Sequence, residues 1–285
     1  MKEGGEIQIK DTRYPKLLKR IENPPKTLRY RGVLDKEIFN NTLAVVGSRR
    51  ITNYGKIVTE KIVRELVQEG ITIVSGFMYG VDALAHRVAL DAGGKTIAVM
   101  PCGVDVIHPA YQKKLYQEIK GKGLVLSEFE DGFPPDKWTY PKRNRIVVGL
   151  SSATLIIEAA EKSGSLISAN FAKKYGRKLF AVPGQITSSV SEGTNNLIKE
   201  GASIVTCSED VLSFFEKSKK KRKEEKKEKL EKEEKQILNI LESEMCDADE
   251  IRRKTKISLN KMNSALSFLE LRGLVGKKGR KYYSL

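Results

Sequence analysis

Cysteine is scarce: Cys102, Cys207 and Cys246 are the three in 285 residues, and none forms a CxxC pair. Such spacing supports neither a disulfide framework nor a thiolate zinc site. Histidine is scarcer still, with two, so a metal centre has little to draw on and no metal or other cofactor is expected. No apolar run approaches the ~20 residues that a bilayer crossing needs, and the first residues are polar instead of signal-like. The expectation is a reduced, cytoplasmic protein with no membrane partner. GxGxxG, GxxxxGK[ST] and GxSxG are also missing, which removes the sequence support for dinucleotide, P-loop and serine-hydrolase readings.

What the chain has in excess is positive charge, 52 Lys+Arg against 36 Asp+Glu, a formal +16. That balance favours a polyanionic partner, nucleic acid or an anionic surface. A hydrophobic content of 40% is enough for one sizeable core and a small satellite.

Residues 43–215 alternate short β-branched runs with helical-length segments, the rhythm of a parallel sheet covered on both faces. Strands are expected near 43–46, 71–75, 96–100, 124–127, 153–158, 178–182 and 203–206. Helices are expected near 54–69, 80–91, 110–120, 142–150, 165–175 and 192–200. The fold class is α/β: an extended Rossmann-like, doubly wound and mostly parallel sheet with a small C-terminal winged-helix domain. Residues 1–42 contain no comparable unit; Tyr14, Leu17, Leu18, Ile21, Leu28 and Tyr30 are expected to pack on the sheet as a lid. Residues 216–236 hold a single aliphatic side chain, Leu230, and read as a charged linker stiffened by Glu225/Lys229, Glu228/Lys232 and Glu231/Lys235. In 237–285, Ile237, Leu238, Ile240 and Leu241 mark one helix and Ile251 a second. Leu259, Met262, Ala265, Leu266, Leu269 and Leu271 mark a third, before a hairpin turning at Lys278-Gly279. Three helices and a hairpin read as a winged helix, a fold that serves both DNA reading and protein docking.

In a doubly wound sheet, ligands settle beyond the carboxyl ends of the strands. Four segments fall there. VVGSRR brings Gly47, Ser48, Arg49 and Arg50, a glycine turn with a hydroxyl and planar guanidinium groups suited to phosphate oxygens. SGFMYGVDALAH brings Gly76 and Gly80 before a helix, and KSGSLISA brings Ser163, Gly164 and Ser165 to another helix start. WTYPKRNR places Trp138 and Tyr140 beside Lys142, Arg143, Asn144 and Arg145, a mixture suited to stacking bases while neutralising their backbone. Each has a plainer reading: turn glycines, core aromatics, structural ion pairs. The convergence carries more weight than any one motif.

These stretches, together with TIAVMPCGVDVIHPAY, LVLSEF and GTNNLIKEGA, resemble the DprA (Smf) family of DNA-processing proteins of bacterial natural transformation, in order over about residues 11–215. The resemblance implies a Rossmann-like domain that binds single-stranded DNA, a homodimer formed through that domain, and loading of the RecA recombinase onto incoming strands. The tail resembles the winged helix that many members carry, where a secondary contact to duplex DNA or to a protein stays open. Carried over by motif, the DNA pocket comprises Gly47, Ser48, Arg49, Gly76, Gly80, Lys142, Arg143, Asn144, Arg145, Ser163, Gly164 and Ser165. Two departures stand out: Met78 replaces a usual small alanine, and Pro101 a common glycine.

Two other classes stay open. Asp82 and His86, four apart on one expected helix, and Glu158 and Glu161 after a strand invite an enzymatic reading, a nucleotide phosphoribohydrolase. The expected role of Asp82 and His86 is nevertheless structural, and no catalytic residue is assigned. The winged helix could instead make the chain a regulator of duplex DNA.

Overall fold

The central strands are apolar without alternation because both of their faces are covered. In β3 (Thr42–Val46), for example, every residue is buried. The computed structural model describes residues 4–228 and 230–285, the side chains of 219–228 excepted. The Glu225/Lys229 and Glu228/Lys232 pairs lie outside the described residues.

The elements in chain order are β1 (Gly4–Gln8), β2 (Thr27–Gly32), β3, α1 (Asn53–Gln68), β4 (Thr72–Ser75), α2 (Val81–Asp91), β5 (Thr96–Val99), α3 (Lys113–Lys122) and β6 (Leu124–Ser127). There follow α4 (Thr139–Gly149), β7 (Ala153–Ile156), α5 (Gly164–Lys174), β8 (Lys178–Ala181), α6 (Glu192–Lys199), β9 (Ser203–Ile204) and α7 (Glu209–Glu228). The chain divides into two compact units, Met1–Ser213 and Phe214–Leu285.

The first unit is built on a nine-stranded sheet ordered β1-β2-β6-β5-β4-β3-β7-β8-β9. From β6 to β9 neighbouring strands are parallel. After β3 the chain adds strands to one side as far as β6, then returns to lay β7 on the other side of β3, with Val46 opposite Ile156. That reversal opens a crevice at the carboxyl ends of β3 and β7.

The N-terminal segment is not only a lid. β2 pairs antiparallel with β6 and β1 pairs with β2, so both extend the sheet. In β2, Leu28 and Tyr30 turn inward while Arg29 and Arg31 turn outward, where they meet Glu6 at 3.0 Å and Asp131 at 2.5 Å. A half-covered strand with a period of two is easily missed beside purely apolar ones. Tyr14, Leu18 and Ile21 do pack into the core.

In the second unit, α8 (Lys232–Ser243), β10 (Cys246–Asp247), α9 (Ala248–Thr255), α10 (Leu259–Leu271), β11 (Val275–Lys278) and β12 (Lys281–Ser284) form a winged-helix arrangement. The hairpin connection is Gly279-Arg280, one residue later than expected. Two stretches depart from the sequence reading. Leu230 is buried in this core, and Glu231 and Glu234 make the capping box that starts α8. The end of the expected linker thus belongs to the folded unit. Leu271, expected inside, is 83% exposed.

Candidate nucleic-acid interface

An open cleft of about 680 Å³ lies at the switch point between β3 and β7. One wall is the turn after β3, where Gly47, Ser48, Arg49 and Arg50 all line the space. Ser48 Oγ accepts the Arg50 N–H at 3.0 Å, which curls the turn on itself. Gly80, at φ +71, lies behind this turn; a Cβ there would come within 2.2 Å of the Ser48 carbonyl oxygen. Its role is to let the two loops touch, and it does not face the cleft. Arg49 and Arg50 are exposed, and the Arg49 guanidinium lies over the Tyr140 ring, 5.1 Å from its centroid. Tyr140 is held from behind by His108, Nε2 to hydroxyl 2.9 Å.

The WTYPKRNR segment is where helix geometry corrects the sequence reading. α4 begins at Thr139, and at 3.6 residues per turn its basic run is split between two faces. Tyr140, Arg143, Asn144 and Val147 line the cleft. Lys142 and Arg145 do not: they share Glu128 on the other face, Lys142 at 3.6 Å. Arg145 also donates to the Asn23 carbonyl at 2.7 Å. Lys142 lies 5.0 Å from the Phe129 ring centroid and 5.5 Å from that of Trp138, so Trp138 is likewise outside the cleft.

Arg143 lines the cleft but is 2% exposed. Its Nη1 donates to the carbonyls of Gly76 and Val99, the latter at 2.6 Å, and its Nε donates to Asn144 Oδ1 at 3.1 Å. Gly76 is glycine because a Cβ would stand 2.6 Å from the Arg143 guanidinium. Burial brings the Arg143 pKa down to about 10, so the group is still charged at neutral pH. It ties the ends of β4 and β5 together and forms the cleft's floor. Asp82 lines the same floor and is buried; burial raises its pKa, while Arg143 pulls it back.

The far wall is the start of α5. Ser163 caps this helix, accepting the Ser165 N–H at 3.3 Å, and the two hydroxyls meet at 2.7 Å. Gly164 has open space where a Cβ would be. The positive end of an eleven-residue helix dipole therefore faces the cleft, a ready seat for an anion. Asn144 Nδ2 reaches the Gly164 carbonyl at 3.5 Å and links this wall to α4.

Sequence reasoning missed two cations here, Lys137 and Lys162, both exposed and both lining the cleft. Their signal was present, since Lys162 opens KSGSLISA and Lys137 directly precedes WTYPKRNR. It also missed His108, whose role depends on a partner 32 residues away. Of the two departures, Met78 lines the cleft as a buried side chain, whereas Pro101 is buried outside it.

Of the groups that suggested an enzyme, Asp82 lies in the cleft floor and Glu161 is exposed outside the lining, while Glu158 and His86 are engaged elsewhere. Glu158 is buried and accepts from the Thr52 N–H, at 3.1 Å, and from the Thr52 hydroxyl, holding in place the threonine that caps α1. His86 is buried with Nδ1 against Thr96 Oγ1 at 2.7 Å, and burial drops its pKa to about 3. Among the described residues, no cluster of three or more His, Cys, Asp or Glu could hold a metal ion, and no helix is long and apolar enough to cross a membrane.

Comparison with known proteins agrees with this architecture. The chain is 44% identical over 210 residues to the DNA processing protein DprA of Streptococcus pneumoniae, covering 74% of each. It is 40% identical to protein Smf of Escherichia coli, covering 70% of this chain and 53% of that one. The crystal structure of the S. pneumoniae protein superposes with a TM-score of 0.71 at 41% identity, over 74% of both chains. A solved structure of DNA processing protein A from Helicobacter pylori, described for its single-stranded DNA binding mode, does so with 0.67 at 36% identity, over 75% of this chain and 96% of that one. Residues 6–216 match the family model of DNA recombination-mediator protein A, and residues 221–278 that of the DprA winged helix domain. The chain belongs to the DNA recombination-mediator protein A family, the DprA/Smf proteins.

Proposed function

We propose that the cleft seats the sugar-phosphate backbone of single-stranded DNA, and that the protein acts by binding that strand and not by chemistry on it. The observation that carries this reading is one of charge and access. Arg49, Arg50, Lys137 and Lys162 converge with the start of α5 on an open cleft whose one acidic lining residue, Asp82, is buried. Phosphates accept hydrogen bonds from the guanidinium groups, the ammonium groups and the helix amides. Tyr140, backed by His108 and faced by Arg49, supports a splayed base. Contacts of this kind position a strand without reading it, so binding is nearly independent of sequence. Duplex DNA binds more weakly, since its bases must first be unstacked at a cost of about a few kcal/mol per step.

A homodimer and delivery of the strand to the RecA recombinase complete the proposal. In support of a dimer, the hollow beside the edge strand β9 is lined by Ile186, Ile198 and Ile204, with Ile186 97% and Ile204 49% exposed. A second copy covering these residues would put two clefts on one particle, and a long strand bridging both would bind with avidity. The exposed wing residues Lys277, Lys278, Arg280 and Lys281 suit a secondary contact to a nucleic-acid backbone. The three free cysteines fit a reduced, cytoplasmic setting.

The test is one preparation measured against oligo-dT of several lengths, a random duplex and a panel of nucleoside monophosphates, at several salt concentrations. Expected are length-dependent, salt-sensitive binding of oligo-dT, weaker duplex binding and no base release. Equal affinity for duplex would favour a winged-helix regulator instead, and base release a hydrolase. Sedimentation of an Ile186→Asp/Ile204→Asp variant tests the dimer, and co-sedimentation with purified RecA tests the recombinase contact.

A further inference from the structure

Two tyrosines on loops next to the cleft, outside its lining, stack on each other. The rings of Tyr79 and Tyr111 are 5.7 Å apart between centroids and 18° from parallel, yet they are 37% and 70% exposed. Buried aromatics in this fold pack into the hydrophobic clusters, as Phe77 and Tyr116 do. This pair instead keeps a flat face toward solvent.

Both rings are held by the loops that hold the basic corner. Tyr79 lies between Met78, which lines the cleft, and Gly80, which backs onto Ser48 and Arg49. Tyr111 sits on the short turn Ala110–Gln112, three residues past the His108 that anchors Tyr140. The exposed Trp138 competes poorly for the same role, because it lies outside the cleft with Lys142 and packs edge-on against Phe129 and Phe133 instead of in a parallel stack. Among the described residues, no cation lies over Tyr79 or Tyr111.

We propose that the Tyr79–Tyr111 stack is a nucleobase platform: the base of a nucleotide leaving the cleft continues the stack on the exposed Tyr111 face. The inference rests on the single-strand reading given above and adds to it a binding position outside the cleft. Any base has a π-face, so the platform tolerates every sequence, and the larger rings of purines overlap it best. Because the two tyrosines are already stacked, only the arriving base is ordered on binding, which favours affinity. A base in a duplex already has both faces stacked and gains little.

The experiment uses the full chain and anisotropy of labelled oligo-dT. It compares a series of lengths with a set in which one abasic site is walked along a fixed length. Wild type is measured beside Tyr111→Ala, Tyr79→Ala, the corresponding Phe variants and Arg49→Ala. One abasic position is expected to weaken wild-type binding about fivefold or more, the scale of one lost base stack. Tyr111→Ala reproduces that loss on the intact strand and becomes insensitive to the same abasic site. Tyr79→Ala gives a smaller loss, the Phe variants restore binding, and oligonucleotides too short to leave the cleft are unaffected. The platform is overturned if the Ala variants bind the intact strand as wild type does, or if they lose affinity equally at every length. If Arg49→Ala also leaves affinity unchanged, it is the cleft reading itself that has failed.

Discussion

Two basic stretches look alike in the sequence, Arg49-Arg50 after β3 and Lys142 to Arg145 on α4, and the fold treats them oppositely. The first is exposed on a turn, with one guanidinium resting on a tyrosine. The second is dismembered: Arg143 is buried among backbone carbonyls, and Arg145 and Lys142 face away onto Glu128. Side chains of the same formal charge thus divide into those that build the cleft and those left exposed in it. What separates them is desolvation. A guanidinium that donates to two carbonyls in the interior is part of the scaffold, and its loss leaves those carbonyls unsatisfied.

The sharpest way to break this contrast is to remove the buried member. Arg143→Met should destabilise the fold by about 3–5 kcal/mol, the scale for stripping a buried, hydrogen-bonded charge. Urea unfolding measures it, and a stable variant deficient only in DNA binding would reverse the assignment. The same buried layer predicts an acid response. His86 titrates near 3 in the folded protein and near 6.5 when unfolded, so the unfolded chain binds more protons between those values. Its contribution is complete above pH 6.5 and is lost progressively as the pH falls toward 3, on the order of a few kcal/mol. Stability measured across that window should fall with acid, and His86→Gln should flatten the slope.

For the exposed stretch the pattern inverts. Arg49→Ala should weaken oligo-dT binding by roughly tenfold, about 1.4 kcal/mol, with no change in the thermal midpoint. Lys137→Ala and Lys162→Ala should each cost about two- to threefold and lower the slope of log affinity against log salt by ~0.7, one phosphate contact apiece. The smallest effect is reserved for Lys142→Ala, whose affinity should stay within about twofold of wild type, since Lys142 lies outside the cleft lining and turns toward Glu128. A loss there as large as that of Arg49→Ala would put Lys142 back among the ligand contacts.

Much of this was legible beforehand. The strand runs from 43 to 206 and the glycine punctuation set the sheet, because a strand covered on both faces must be apolar throughout. The turns after β3 and before α5 were legible as well, because glycine, serine and arginine at a strand-to-helix junction have few other uses. β1 and β2 were not, since a strand covered on one face only alternates and its charged side chains look like surface. The outcome on α4 was hidden too: at 3.6 residues per turn the basic run must divide between faces, but which face meets the cleft and which meets Glu128 is set by how the helix packs on the sheet.

The sequence by itself determined the order of elements from β3 to β9, the excess of positive charge and the chemical kinds of group placed at strand ends, because these follow from local periodicity and composition. Only the tertiary structure decided which cations face the cleft, that His108 supports Tyr140, and that Tyr79 meets Tyr111. Those outcomes depend on burial and on contacts between residues 32 apart or more in the chain, and no local pattern encodes the cost of taking one arginine out of water while leaving its neighbour in it.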